Sequence, residues 1–91
     1  MYVILPYSYK KAKKINVVIK PSVRKNKKID VFKNGKYIVS IGAVGYLDYP
    51  YYLKYFGKVI ADEKRRLYKK RHQKDRIIKY SAGWYADQLL W

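Results

Sequence analysis

Cysteine is absent from the 91 residues, and with it go disulfide staples, thiolate metal sites and a nucleophilic thiol. Histidine occurs once, as His72, and the acids number six: Asp30, Asp48, Asp62, Glu63, Asp75 and Asp87. His72 sits in a run of cations with no carboxylate expected to orient it, which suits an exposed helix residue better than a general base. The acids are scattered rather than grouped as a metal-dependent nuclease requires. Adjacent Asp62 and Glu63 point to different sides of a helix and read as partners of its positive N-terminal end. Asp48, beside Tyr49, reads as a helix cap before an acid or base. Gly42 and Gly45 lie in IGAVG without the Lys-Ser/Thr that completes a Walker loop. The residue inventory therefore implies no enzyme, no metal and no cofactor.

Long apolar runs are also missing. The uncharged stretch from Tyr37 to Leu47 is too short to span a bilayer. The apolar start MYVILPYSY precedes its positive charges, the reverse of a secretory signal. The expectation is a chain that neither spans a membrane nor is secreted. With no staples and a small core, one domain over 1–91 suits a reducing compartment or an assembly that adds burial.

What the chain has in excess is positive charge and tyrosine. There are 22 Lys and Arg against 6 Asp and Glu, a net charge of +16, and 12 tyrosines. Charge this far from zero costs stability by self-repulsion, so a polyanionic partner is expected. Lysine exceeds arginine, which favours non-specific phosphate contact over bidentate base reading. Tyrosine offers rigid contact area with a polar tip, useful in a small core and at interfaces.

The strongest structural signal is KKIDVFKNGKYIVSIGAVGYLDY, Lys27 to Tyr49, where Asn34-Gly35 separates two β-branched and aromatic runs. A two-residue loop there pairs Lys33 with Lys36, Phe32 with Tyr37, Val31 with Ile38 and Ile29 with Ser40. Ile29, Val31 and Ile38 then share one face, and Phe32, Tyr37, Val39 and Ile41 the other, with helices covering that second face. Gly42 and Gly45 let the backbone leave the sheet. Ile15 to Lys20 alternates as a third antiparallel strand, and Met1 to Tyr9 reads as an edge strand interrupted by Pro6. Downstream, Asp48 caps a short helix that ends at Gly57, with Tyr51, Leu53, Tyr55 and Phe56 turned to the sheet. Val59 to Lys74 reads as a second helix, and Ser81 caps a third that carries Trp84, Tyr85, Leu89 and Leu90 at helical spacing. Trp91 is expected to dock. The fold class implied is α+β, a three-stranded antiparallel sheet covered by two or three C-terminal helices.

Two basic blocks stand out. From Lys10 to Lys36 eleven Lys and Arg face Asp30 alone, and from Lys64 to Lys79 nine face Asp75 alone. The candidate nucleic-acid contacts are Arg24, Lys25, Lys27 and Lys28 before the hairpin, and Arg65, Arg66, Lys69, Lys70 and Arg71 on the basic helix. Lysine and arginine neutralise phosphates and release counterions, and aromatic faces can stack on unpaired bases. A three-stranded sheet followed by a helix also resembles small readers that lay a sheet in the DNA major groove, although the arginines of such a face are lacking here.

Four stretches, KPSVRKNKK (Lys20–Lys28), IGAVGYLDY (Ile41–Tyr49), RRLYKKRH (Arg65–His72) and SAGWYADQLLW (Ser81–Trp91), together resemble an uncharacterised family of small basic proteins from large DNA viruses and some large phages. Pro50 to about Val59 departs from it as an insertion. The resemblance implies a viral protein, in the virion or the host cell interior, and carries no activity with it. Genome association follows as the first functional expectation, with DNA ahead of RNA. A minor capsid or cement protein that meets acidic virion surfaces within a larger complex is the alternative. An inhibitor of host ribosomal RNA or of an acidic host protein comes third.

Overall fold

Asn34 and Gly35 both take positive φ, 53° and 77°, the geometry of the tight turn that their side chains permit. A computed structural model describes residues 1–91, and in it this turn joins β2 (Lys27–Lys33) to β3 (Lys36–Ala43). Lys33 pairs with Lys36 and Phe32 with Tyr37, as the turn dictates, but the register then shifts between Val31 and Phe32. Val31 pairs with Val39, Asp30 with Ser40 and Ile29 with Ile41. The expected partners, Ile38 for Val31 and Ser40 for Ile29, are therefore displaced by one. The physical reason is a bulge at Ile38. One extra residue restores the two-residue period, so Ile29, Val31, Val39 and Ile41 share a face instead of being divided between two. Ile29, Val31 and Ile41 are almost wholly buried, while Ile38 is left exposed.

β1 (Val18–Pro21) completes an antiparallel sheet in the order β1-β2-β3. It starts later than Ile15 because α1 (Pro6–Lys14) occupies the ground where an edge strand was expected. Pro6 suits the first helical turn, where its missing N–H costs nothing. Lys11, Lys13 and Lys14 crowd the last turn, the negative end of the helix dipole. Asn16, at φ 58°, then ends the helix: its N–H donates to Lys13 O and that of Val17 to Ala12 O, the paired bonds of a left-handed C-terminal cap. α1 packs beside β1 and buries Ser8 and Ala12.

The other sheet face is polar. Asp30, 4% exposed, accepts hydrogen bonds from Ser22 Oγ at 2.6 Å, Ser40 Oγ at 2.5 Å and the Val23 N–H at 3.3 Å. Ser22 in turn accepts from the Arg24 N–H. The single Ser40 hydroxyl proton goes to Asp30, so Tyr37, 2.8 Å away, must donate to Ser40. Burial alone would push the Asp30 carboxyl up; the bonds from Ser22, Ser40 and Val23, with the Arg24 charge behind them, outweigh it and hold its pKa below the ordinary value.

Met1–Tyr46 and Leu47–Trp91 form two compact units. In the second, Asp48 caps α2 (Tyr49–Phe56) by accepting the Tyr51 N–H, and Gly57, at φ 88°, ends it. α3 (Lys58–Arg71) starts directly after, one residue before the expected Val59, so Asp62 and Glu63 lie beyond its first turn. They pair with cations on the same helix rather than with its dipole. Ser81 caps α4 (Ala82–Leu90), accepting from the Trp84 N–H at 3.1 Å. A Cβ at Gly83 would lie 2.8 Å from that of Asp75, closer than packed carbons come, so only glycine fits there. Tyr68, Tyr85, Leu89, Leu90 and Trp91 are buried, and the Trp91 ring stacks on Tyr68 with centroids 4.3 Å apart and planes at 8°. Burial, then the Asp87 and Asp75 carboxylates, push the Tyr68 hydroxyl up to about 12. Leu53, Tyr55 and Phe56, expected to be buried, are exposed.

Two stability changes follow. Ser8 Oγ is buried with no hydrogen-bond partner, so Ser8→Ala should raise stability by about 1 kcal/mol in urea denaturation, removing an unsatisfied group from a helix that favours alanine. Asp30→Asn turns an NH2 towards a donor and should cost about 1–3 kcal/mol at neutral pH. Because the folded-state pKa of Asp30 is depressed, its contribution is complete above the unfolded value near 4 and is lost as pH falls through the folded one. The gap between wild type and Asp30→Asn should therefore narrow in acid.

Candidate nucleic-acid interface

In Met1–Tyr46 eleven Lys and Arg stand against Asp30, and in Leu47–Trp91 eleven stand against five acids. The difference matters because Asp30 is buried and committed to internal hydrogen bonds, so it offers little to screen its neighbours. Lys25 and Lys27 are exposed and make no ion pair. Arg24 is also exposed, with its guanidinium 4.9 Å from the centre of the Tyr37 ring. Lys28 does something else. It is 4% exposed, donates to the Tyr46 carbonyl and lies 5.4 Å from the centre of the Tyr2 ring. In β2 it shares the polar face with Asp30, two residues on, and it anchors the chain just after β3 rather than facing solvent.

The same unit exposes cations outside the expected set. Lys10, Lys13 and Lys14 project from α1, and Lys20 and Lys36 from the sheet. The cluster at Lys10 to Lys14 was visible in the sequence, but a connector between strands gives no fixed geometry. A helix does, because it sets the lysines on defined faces at 1.5 Å of rise per residue.

On α3 the five expected contacts divide. Lys70 and Arg71 are exposed with no acid in reach, as is Lys74 just beyond the helix. Arg65 is a structural hub: it lies 3.9 Å from the Tyr49 ring centre, pairs with Asp62 at 3.3 Å and donates to the Trp91 carbonyl at 3.4 Å. Asp62 also accepts from Lys58 and from Tyr49 Oη, both at 2.7 Å. These bonds hold its carboxyl below the usual range, the Lys58 bond first and the Tyr49 bond second. Arg66 is exposed but doubly bonded to Glu63, at 3.1 and 2.6 Å. Lys69 reaches Asp87, whose side chain is 6% exposed, at 2.8 Å, with Arg76 on the other oxygen at 3.9 Å. His72, expected to lack a carboxylate, lies 3.5 Å from Asp75 and stacks on Tyr68 at 4.4 Å.

Of the nine expected contacts, then, Lys25, Lys27, Lys70 and Arg71 are unengaged, Arg24 and Arg66 are exposed but engaged, and Lys28, Arg65 and Lys69 hold the fold. For Arg65 and Arg66 the sequence signal was the spacing of the acids. Arg65 stands three residues from Asp62 and Arg66 three from Glu63, so they meet on one helix face; Asp87 is distant in sequence and gave none. No His, Asp and Glu side chains gather in a group of three able to hold a metal, and no helix is long and apolar enough to cross a membrane.

Lys69→Met leaves Asp87 buried beside Arg76 alone and should cost about 2–3 kcal/mol, a little under a fully broken buried pair. Lys70→Met should change stability by less than about 0.5 kcal/mol, as surface substitutions do; thermal unfolding of the two variants checks the contrast. Compared with protein-family models, with curated proteins and with solved structures, the chain matches none.

Proposed function

We propose that the chain is a non-catalytic nucleic-acid-binding protein that contacts phosphates through lysine and arginine with little sequence preference. The observation that carries this reading is the charge of Met1–Tyr46, where exposed cations surround a single acid that is buried and internally satisfied. The only acid of that unit is turned inward, so an external polyanion gains the attraction of its cations and the release of its own counterions. Lys25 and Lys27, with Lys10, Lys13, Lys14, Lys20 and Lys36, supply point charges that hold a backbone without reading bases. Lys70, Arg71 and Lys74 extend the contact in Leu47–Trp91. The resemblance to small basic proteins of large DNA viruses supports DNA as the polyanion and an association with the genome in the virion or the host cell.

A second reading rests on a different observation. Leu53, Tyr55, Phe56, Val59 and Ile60 are all exposed around Gly57, with Val59 85% exposed, and Lys54, Lys58 and Lys64 stand between and beside them. An apolar corner with a basic rim fits an acidic protein surface, as a minor capsid or cement protein would meet. Under that reading, affinity for nucleic acid is weak and vanishes at physiological salt.

The test is fluorescence anisotropy with a random duplex between about 50 and 200 mM salt. Tight binding with a log-log slope of several times −0.9 is expected. Replacing Lys25 and Lys27 together by Gln should reduce the slope by about 2 while the fold stays intact. An unchanged slope and affinity would remove the first unit from the interface, and loss of all binding at the upper salt would favour the capsid reading.

A further inference from the structure

The open part of the polar sheet face carries a second feature that phosphate contact does not use. Tyr37 on β3 is 43% exposed, yet its hydroxyl is fixed by Ser40, which is itself fixed by buried Asp30. Its ring meets Phe32 edge-on, with centroids 5.9 Å apart and planes at 72°, and the Arg24 guanidinium lies 4.9 Å from its centre. Lys20 lies 5.3 Å from the centre of Phe32. The register explains the grouping: Phe32 pairs with both Val18 and Tyr37, and Lys20 and Ser40 both pair with Asp30. All of these side chains belong to one unit and one face.

We infer that this face is a single-strand site, in which an unpaired nucleobase stacks on the Tyr37–Arg24 pair while Lys20 holds a flanking phosphate. The inference rests on the nucleic-acid reading above and narrows it to a form of ligand. An exposed aromatic ring normally loses rotamer freedom when a base stacks on it. Here the freedom is already spent, because the hydroxyl is tied into a chain of bonds ending on a buried carboxylate. A guanidinium plane above a ring offers a second flat surface of the kind that bases stack on, and its charge remains available to a phosphate. Duplex bases are stacked on one another and cannot reach such a surface. The site therefore discriminates strand from duplex without reading sequence.

The experiment compares an oligothymidine of about a dozen nucleotides with an abasic strand of equal length. Both present the same phosphates and only one presents bases. The wild-type protein is expected to prefer the oligothymidine by about fivefold or more, the usual worth of one stacked base. Tyr37→Leu should abolish that preference and leave duplex affinity and salt slope unchanged. Tyr37→Phe, which keeps the ring and loses the hydroxyl, should retain most of it. A wild-type strand carrying 5-iodouracil should cross-link on irradiation to Tyr37 or Phe32, which keeps the proposal testable if Tyr37→Leu does not fold. Equal affinity for the two strands, or cross-links elsewhere only, overturns the stacking site while leaving phosphate binding intact. Failure to bind either strand or the duplex overturns both.

Discussion

Asp30 holds three strands of chain to one point. Its carboxylate is the meeting place of Ser22 from the end of β1, Ser40 from β3 and the backbone of the β1–β2 connection. A buried anion in a small protein is normally a liability, since desolvating it costs several kcal/mol unless its oxygens are satisfied. Here each oxygen has a donor, and the donors are short side chains or backbone with little entropy to lose. The network rigidifies a connection rich in lysine and arginine that would otherwise be pushed open by its own charge. It also sets the orientation of Tyr37 through Ser40, so that a surface feature depends on a buried acid two bonds away.

The second unit meets the same shortage of acids in a different way. Each of its five carboxylates is placed where it satisfies something nearby: Asp48 the start of α2, Asp62 a tyrosine and two cations, Glu63 one arginine, Asp75 a histidine, and Asp87 the gap between α3 and α4. Where acids are few, the cations nearest them in space become part of the architecture, and the surplus defines the surface. Arg65 and Lys69 belong to the first group and Lys70 and Arg71 to the second, although all four lie within seven residues of one helix. Position on the helix face, and not residue type, decides which.

Local chemistry made much of this legible. The Asn34-Gly35 turn, the Asp48 and Ser81 caps and the Gly57 break are each written in one or two residues whose preferences are strong and short-ranged. The α+β class and the antiparallel order of the strands followed from them. The bulge at Ile38 was not legible by that route, because it responds to the whole face: Ile29, Val31, Val39 and Ile41 only agree once Ile38 is skipped. The first helix was missed for the opposite reason. Val3 and Leu5 suggested alternation, and the spacing of Ser8 and Ala12 carries no apolar signal strong enough to oppose it. The charged surface was plain from composition, but which cations stay free depended on Asp87 and Trp91, residues remote in sequence that packing alone brings to α3.

The first unit contains no histidine, and its one carboxylate is held ionised by its neighbours well below neutrality. Met1–Tyr46 therefore has neither a histidine nor a surface carboxylate whose charge would answer to mild acid. Acidification cannot release a polyanion from such a surface. Release must come from ionic strength, from a competing polyanion, or from enzymes that remove lysine charge covalently, of which acetylation is the simplest.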